Sequence, residues 1–170
     1  MDWLGRISDV PPGTPLVRHM LRLSKKADYA LLAMRHLAAT PEREAMPARE
    51  LAESYDIPLE LLAKVLQKLV RAGLLESQHG IKGGYGLARP AKSMSVADVI
   101  QAVDGPFTVT ACSETNHSCE QYSKCNIRDP LWRIKDRIVS ALGATSVADL
   151  AADIVTRHEP ITSPIAVLRK

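Results

Sequence analysis

The 170-residue sequence has the composition of one ordinary globular domain, or of a small domain with an appendage. Hydrophobic residues make up 46% and charged residues 24%, which excludes an intrinsically disordered chain, and no apolar run approaches the length of a transmembrane helix. The cysteine count of three is odd, so complete disulfide pairing within the chain is excluded and a reducing, cytoplasmic location is expected.

The net charge of +3 is distributed unevenly along the chain. Residues 20–92 contain 12 Lys and Arg against 8 Asp and Glu, whereas residues 93–170 contain 8 against 9. A basic N-terminal half beside a slightly acidic C-terminal half indicates a polyanionic partner. We expect neither a membrane partner nor a small-molecule substrate.

The predicted elements begin after an irregular leader, residues 1–19, which we expect not to be native, with Met20 as the natural start. Ser24 is a predicted N-cap, and apolar residues at helical spacing follow it as far as Ala38. Pro47 suits the start of a short second helix, and Pro58 suits the start of a third. Gly73 is the predicted end of that third helix.

Two strand-like runs then flank a turn that contains glycine and lysine, which predicts a β-hairpin. Ser95 is predicted to cap a fourth helix, and further helices are predicted after Pro130, ending at Gly143, and from Val147 to Ile154. The expected parts are a leader, a helical domain that contains the hairpin, a helix with a cysteine loop, a longer helix with a short terminal helix, and a tail, at residues 1–19, 20–92, 93–129, 130–154 and 155–170.

The order helix, short helix, turn, helix and hairpin is typical of a winged helix-turn-helix, so the predicted fold class is mainly α with a small β-hairpin wing. Residues 20–92 are therefore predicted to be a DNA-binding domain. The third helix has an apolar stripe that would pack on the first two helices. Its opposite face is polar and could lie in a major groove, and it carries Glu60, Lys64, Gln67, Lys68 and Arg71.

Other polar residues could reach the DNA backbone from either side of that helix. His79 and Lys82 lie in the hairpin turn among glycines, which would let the backbone approach a phosphate or enter the minor groove. Lys25 and Lys26 lie at the start of the first helix, where free N–H groups favour a phosphate. For any one of these residues the alternative is an ordinary solvated surface, because charge runs are usually solvated.

Four motifs in the right order resemble the Rrf-type transcription regulators. They are LRLSKKADYA at residues 21–30, AGLLESQHGIKGGYGLA at residues 72–88, SVADVIQAVDG at residues 95–105, and a cysteine segment followed by Leu131 and Trp132. The resemblance covers about residues 20–154. Within the family the sequence is most similar to regulators of the SUF iron–sulfur assembly genes.

The resemblance implies a homodimer on a partly palindromic double-stranded operator, with the third helix in the major groove and the wing in the adjacent minor groove. The positions that it implies for DNA contact are Glu60 and Ala63 on the helix and His79 in the wing, and Tyr85 belongs to the same wing motif. Ala63 can offer only an apolar contact, for example to a thymine methyl group. The expected function is a transcription regulator that represses iron–sulfur assembly genes.

The cysteines form a cluster with six residues between Cys112 and Cys119 and five between Cys119 and Cys125. These gaps are too wide for a zinc knuckle and do not match the ferredoxin pattern. From spacing alone, three thiolates on one loop could hold zinc, copper(I) or an iron–sulfur cluster, or could be unrelated thiols. A zinc-held structural domain is the alternative function. A thiol enzyme is not expected, because the fold order places no cysteine next to a histidine base and the sequence has no glycine-rich phosphate loop.

The resemblance favours an iron–sulfur cluster, either 4Fe-4S or 2Fe-2S, on the three cysteines. Arg128 stands where IscR-like members place a histidine ligand, so the fourth ligand must come from elsewhere. Nitric-oxide-sensing relatives use an acidic residue of the partner subunit near the start of the first helix, which corresponds to Asp28. Asp28 could equally be a first-turn residue favoured by the helix dipole, and Glu114 and His117 are rival ligands.

The helix predicted from Leu131 to Leu142 has an apolar stripe that is wide for a helix packed only on its own domain. Simple packing and a dimerisation role are compatible. The resemblance implies a dimerisation helix. We expect loss of the cluster to rearrange residues 107–129 and so shift the dimer between DNA-binding arrangements, in response to cluster supply, oxygen, iron or nitric oxide.

Overall fold

The computed structural model describes residues 23–80, 83–108 and 122–152. Short 3₁₀ turns at Ala91–Ser93 and Tyr122–Lys124 accompany the main elements. The main helices and strands, in chain order, are α1 (Lys25–Ala39), α2 (Ala48–Ser54), α3 (Leu59–Arg71), β1 (Leu75–Gln78), β2 (Gly84–Leu87), α4 (Val96–Asp104), α5 (Arg128–Ala144) and α6 (Val147–Ala152).

Local side-chain chemistry explains where several helices begin and end. The Ser24 hydroxyl accepts a hydrogen bond from the Ala27 N–H at 3.1 Å, and Ser95 forms a reciprocal capping box with Asp98 at the start of α4. Gly73, with φ of +69°, ends α3 in a left-handed conformation that glycine adopts without strain. The predicted caps and the predicted stop are confirmed.

The helix-turn-helix is held together by the buried face of α3. Its apolar residues recur at intervals of three and four and are almost completely buried, namely Leu62, Val65, Leu66 and Leu69. The turn between α2 and α3 passes through Asp56, whose φ of +51° is unusual for a residue other than glycine. The next residue, Ile57, is 6% exposed and anchors the turn to the core.

The wing is an antiparallel hairpin in which Leu75 pairs with Leu87 and Ser77 with Tyr85. A third segment extends it, because Met46 and Tyr85 form an isolated antiparallel bridge. No pattern in the sequence predicts this bridge. The predicted fold class, mainly α with a small β-hairpin wing, is confirmed.

Helix α5 differs at both ends from its prediction. It begins at Arg128, two residues before Pro130, and runs through Gly143 to Ala144. Proline is tolerated there because the N–H groups of a first helical turn have no partner within the helix. None of the residues in α5 is buried.

Helix α6 returns the chain to the N-terminal part of the fold. It packs on α1, and the Arg35 guanidinium Nε donates to the Leu150 carbonyl oxygen at 3.2 Å. The Val147 side chain is completely buried in the main hydrophobic core, beside residues of α1, α2, α3 and α4. The core around the helix-turn-helix is therefore completed by residues near the C-terminal end of the described chain.

Across residues 23–80, 83–108 and 122–152, no helix combines the length and the apolarity that crossing a membrane would require.

Candidate functional site

The side of α3 opposite the core is a row of exposed polar side chains. Its members recur at intervals of three and four, so they share one face of the helix, and all are exposed: Glu60, Lys64, Gln67 and Arg71. A helix whose one face is anchored in the core can present the other to a groove in DNA. We call these four residues the open face.

Lys68 does not belong to the open face, although it was predicted there. Its side chain is half-buried, and its ammonium Nζ donates to the backbone carbonyl oxygen of Val103, at 2.5 Å. The physical reason is its position at the flank of the helix, where it lies over the end of α4. Ala63 lies at the opposite flank and is also half-buried.

A groove of about 380 Å³ separates α3 from the wing. It brings together residues that the sequence analysis proposed separately, because Gln67 and Arg71 line it from the helix while His79 and Tyr85 line it from the hairpin. Val70, Ser77, Gln78 and Gly84 complete the wall. His79 is exposed, and Lys82 lies outside the described residues.

The wing glycines have a structural reason within the protein. A Cβ atom at Gly84 would collide with the carbonyl oxygen of Met46, and a Cβ at Gly86 would collide with that of Glu44. The sequence predicts that the glycines of the hairpin turn permit close approach to DNA. At these two positions the close approach is to the backbone segment before α2.

The first turn of α1 exposes three predicted site residues, Lys25, Lys26 and Asp28. Among the residues described, the Asp28 carboxylate has no hydrogen bond or ion pair. The N-cap of this helix, Ser24, makes a second contact besides its cap, because its hydroxyl donates to the Asp104 carboxylate at 2.7 Å. The start of α1 is thus joined to the end of α4.

Cys125 lies immediately after a 3₁₀ turn and three residues before α5, as a half-buried free thiol. Cys112 and Cys119 fall outside the described residues, as do the rival ligands Glu114 and His117. Within the three described ranges, no group of three or more His, Cys, Asp or Glu side chains gathers where a metal could bind. The predicted ligand set, including Asp28, therefore stays a prediction.

Arg128 occupies the position where the resemblance expects a histidine ligand, and its guanidinium is engaged elsewhere. The guanidinium carbon lies 5.7 Å from the centre of the Trp132 ring, and Nε is 2.9 Å from the Asp129 carboxylate. Both contacts are local to the first turns of α5. A permanently protonated guanidinium has no free lone pair for a metal.

The exposed apolar side chains of the C-terminal half concentrate around α5. Ile127 is 59% exposed, Ile134 is 46% exposed and Trp132 is 37% exposed. In contrast, Leu142 on the same helix packs against Ala27 and its buried neighbours. The C-terminal end of α5 thus contacts the rest of the described chain, while the apolar side chains at its N-terminal end are exposed.

Two carboxylates away from these sites have perturbed pKa values. The Arg43 guanidinium hydrogen bonds to Glu50 and lowers the pKa of that exposed carboxyl group. Hydrogen bonds from the hydroxyl and the backbone N–H of Ser146 lower the pKa of Asp149 at the start of α6. Both shifts belong to local surface structure.

Comparison with known proteins agrees with this arrangement. The model of the Rrf2 family, described as an iron-dependent transcriptional regulator, matches residues 23–153. The transcriptional regulator IscR of Xenorhabdus nematophila is 34% identical over 131 residues, which are 76% of this chain and 79% of the relative.

Two solved structures share the fold over most of the chain. CymR, the global cysteine regulator of B. subtilis, has a TM-score of 0.65 at 27% identity, covering 78% of this chain and 98% of CymR. T. potens IscR has a TM-score of 0.62 at 25% identity, covering 78% of this chain and 88% of that chain.

These relatives are transcription regulators and not enzymes, which confirms the prediction that this chain is not an enzyme. The family match extends from the residue before the N-cap of α1 to the end of α6. The chain therefore belongs to the Rrf2 family of iron-dependent transcriptional regulators.

Proposed function

We propose that this protein is a cytoplasmic, homodimeric repressor that binds a partly palindromic operator and responds to the state of an iron–sulfur cluster. Its expected targets are genes for iron–sulfur cluster assembly, of the SUF type. The cluster, 4Fe-4S or 2Fe-2S, would be held by Cys112, Cys119 and Cys125, with Asp28 of the partner subunit as the fourth ligand.

The observation that carries the DNA-binding part is the groove between α3 and the wing. Gln67 and Arg71 face His79 and Tyr85 across it, so a single DNA duplex could meet both elements. Lys64 would contact a phosphate, and Glu60 and Gln67 would face base edges. Lys25 and Lys26 extend the positive surface at the start of α1.

The donor chemistry fits an iron–sulfur cluster. Cys125 is a free, half-buried thiol at the entrance to α5, so that a thiolate there is shielded in part from solvent yet accessible for ligation. Three thiolates are soft ligands, and the family is described as iron-dependent. When bound, the cluster would supply a redox- and nitric-oxide-reactive centre; this chain's own residues hold it and read DNA.

The exposed apolar side chains at the N-terminal end of α5 support a homodimer. Exposed isoleucine and tryptophan side chains on one helix of a small protein mark an interaction surface. The same helix of a second subunit, crossing at a two-fold axis, would bury them. Such a crossing would set the two recognition helices at a fixed separation, as a palindromic operator requires.

Purification without oxygen, followed by analysis of iron and acid-labile sulfide, tests the cluster directly. We expect equal iron and sulfide in the wild type, and loss of both in Cys125→Ser. Ser123→Ala, two residues away and exposed, is the matched control and should keep both. A colourless protein that contains zinc and no sulfide would refute the cluster and establish the zinc-held alternative.

A further inference from the structure

The end of α4 leaves a backbone carbonyl group without a partner in its own helix. Val103 is one of the last residues of α4, and the helix stops at Gly105, whose φ is +86°. The final carbonyl groups of any helix lack intrahelical donors and carry the negative end of the helix dipole. A positive donor is favourable at this position.

Lys68 of α3 supplies that donor. The contact is half-buried, and it joins residues that are 35 positions apart in the sequence. The Val103 side chain itself is 3% exposed, so the carbonyl group cannot move far without disturbing the core. A charge-assisted hydrogen bond of this kind is stronger than a neutral one.

A second contact involves the next residue of the same helix end. The Ser24 hydroxyl, which caps α1, donates to the Asp104 carboxylate at 2.7 Å. The two helices that would face DNA therefore both contact the last residues of α4. The chain reaches Cys112 only eight residues after Asp104.

The contact also distinguishes Lys68 from Lys64, one turn earlier on the same helix. Lys64 is exposed on the open face, where an ammonium group can reach a phosphate. Lys68 would have to abandon the Val103 carbonyl group to do so. Lys64 and Lys68 are thus only one helical turn apart, yet Lys64 is exposed whereas Lys68 contacts the end of α4.

We propose that Lys68 is a positioning residue that couples the cysteine segment after α4 to the recognition helix α3. The coupling rests on the proposed function in assigning a sensory role to that segment, but not on which metal the cysteines hold. A change in residues 105–125 would act on the end of α4, and through Lys68 it would tilt or release α3. Because equilibrium coupling between two sites is reciprocal, DNA bound at α3 would in turn shift the conformational equilibrium of the cysteine segment.

The first test separates positioning from phosphate contact. A duplex selected by the wild-type protein from random-sequence DNA is titrated at several salt concentrations with wild type, Lys68→Met and Lys64→Met. Lys64→Met should reduce the slope of log affinity against log salt by about 0.9. Lys68→Met should weaken binding about tenfold with an unchanged slope, as expected for loss of one charge-assisted hydrogen bond. An equal reduction of slope in both variants would refute the proposal.

The second test reads the coupling without any cluster. The rate at which iodoacetamide alkylates the cysteines is measured in the reduced, metal-free full chain, with and without the selected duplex. We expect DNA to change the rate about fivefold or more in the wild type, and by less than about twofold in Lys68→Met at saturating DNA. Lys68→Arg, which keeps a cationic donor, should restore the effect.

Lys64→Met serves as the control in the second test and should keep the full DNA effect once saturated. A merely structural role for Lys68 would lower the melting temperature and leave the DNA effect on alkylation intact, which would overturn the proposal. Absence of iron and sulfide from the purified protein would overturn the cluster, but not this coupling, since neither measurement uses a bound metal.

Discussion

Met46 and Tyr85 exchange both of their backbone hydrogen bonds, at 3.0 and 2.9 Å. This isolated bridge holds the segment before α2 against β2, so that the wing is joined to the start of the helix-turn-helix. Gly84 and Gly86 lie so close to that segment that a side chain at either position would collide with its backbone. Because α2 packs on α3, the bridge also helps to hold the wing relative to α3, and with it the groove that separates them.

Gly84→Ala should destabilise the fold strongly. The added methyl group would collide with the Met46 carbonyl oxygen, a backbone atom that cannot rotate away, so we expect a loss of about 3 kcal/mol. The control is Gly143→Ala in α5, where the added group meets nothing within 4 Å and should stabilise the helix by about 0.5–1 kcal/mol. Chemical denaturation of both variants measures the difference. Equal stabilities of the two variants would show that the segment before α2 does not approach β2 so closely.

Ile134→Glu should weaken a homodimer by tenfold or more, roughly, because it places a charge in the proposed helix crossing. Ser140→Glu adds the same charge on the polar side of α5, where it is exposed, and should leave the dimer intact. Sedimentation equilibrium measures the association constants. A monomeric wild type, or equal effects of the two variants, would contradict the dimer interface.

Gln67→Ala should reduce discrimination between DNA sequences without changing the salt dependence of binding. A glutamine that reads a base edge contributes about 1–3 kcal/mol of preference for the correct base and neutralises no phosphate. Competition between the selected duplex and single-base variants measures the preference. Unchanged discrimination at every position would remove Gln67 from the base-reading residues.

Asp149 should make the stability depend on pH at the acidic end. Hydrogen bonds from Ser146 hold its pKa below the ordinary 3.8, so the folded state binds its proton more weakly than the unfolded state does. The resulting stabilisation is present above about pH 4 and is lost as the pH falls through the lowered pKa. Asp149→Asn should therefore melt earlier than the wild type near neutral pH, and the gap should close in acid. A gap that is constant with pH would exclude this carboxylate as its cause.

Asp56→Val should destabilise the helix-turn-helix by about 1–2 kcal/mol, because a β-branched side chain is strained at a φ of +51°. Asp56→Gly relieves that strain and should be close to neutral, which makes it the matched control. Thermal unfolding followed by circular dichroism compares the two. A large loss in the glycine variant would indicate that the aspartate side chain itself stabilises the turn.

The sequence predicted well those features that depend on neighbouring residues. Ser24, Ser95 and Gly73 mark helix ends through contacts with residues only a few positions away, and such contacts leave a clear local pattern. The apolar spacing of α3 predicted its buried side for the same reason. Motifs distributed along the chain identified the family.

Features that depend on distant residues could not be predicted in this way. Helical periodicity places Lys68 at the flank of α3, but it does not show what the side chain contacts there. Its partner is a backbone carbonyl group 35 positions away. The Met46–Tyr85 bridge joins two isolated residues, so it leaves no strand-like run around Met46.

The start of α5 was predicted wrongly for a local reason. Pro130 indicated a helix boundary, yet a proline in the first turn of a helix removes no helical hydrogen bond.

The buried Val147 has a consequence for how this regulator can be divided. Because α4 and α6 complete the core that α1, α2 and α3 begin, residues 20–92 transplanted onto another sensor would lack Met94, Val99 and Val103 as well as Val147, and would expose the apolar side chains that these residues cover. Residues 20–92 are therefore not an independent unit that could be exchanged between regulators. A lineage that exchanged its sensory half by recombination would have had to bring α6, or a replacement for it, along with the exchange.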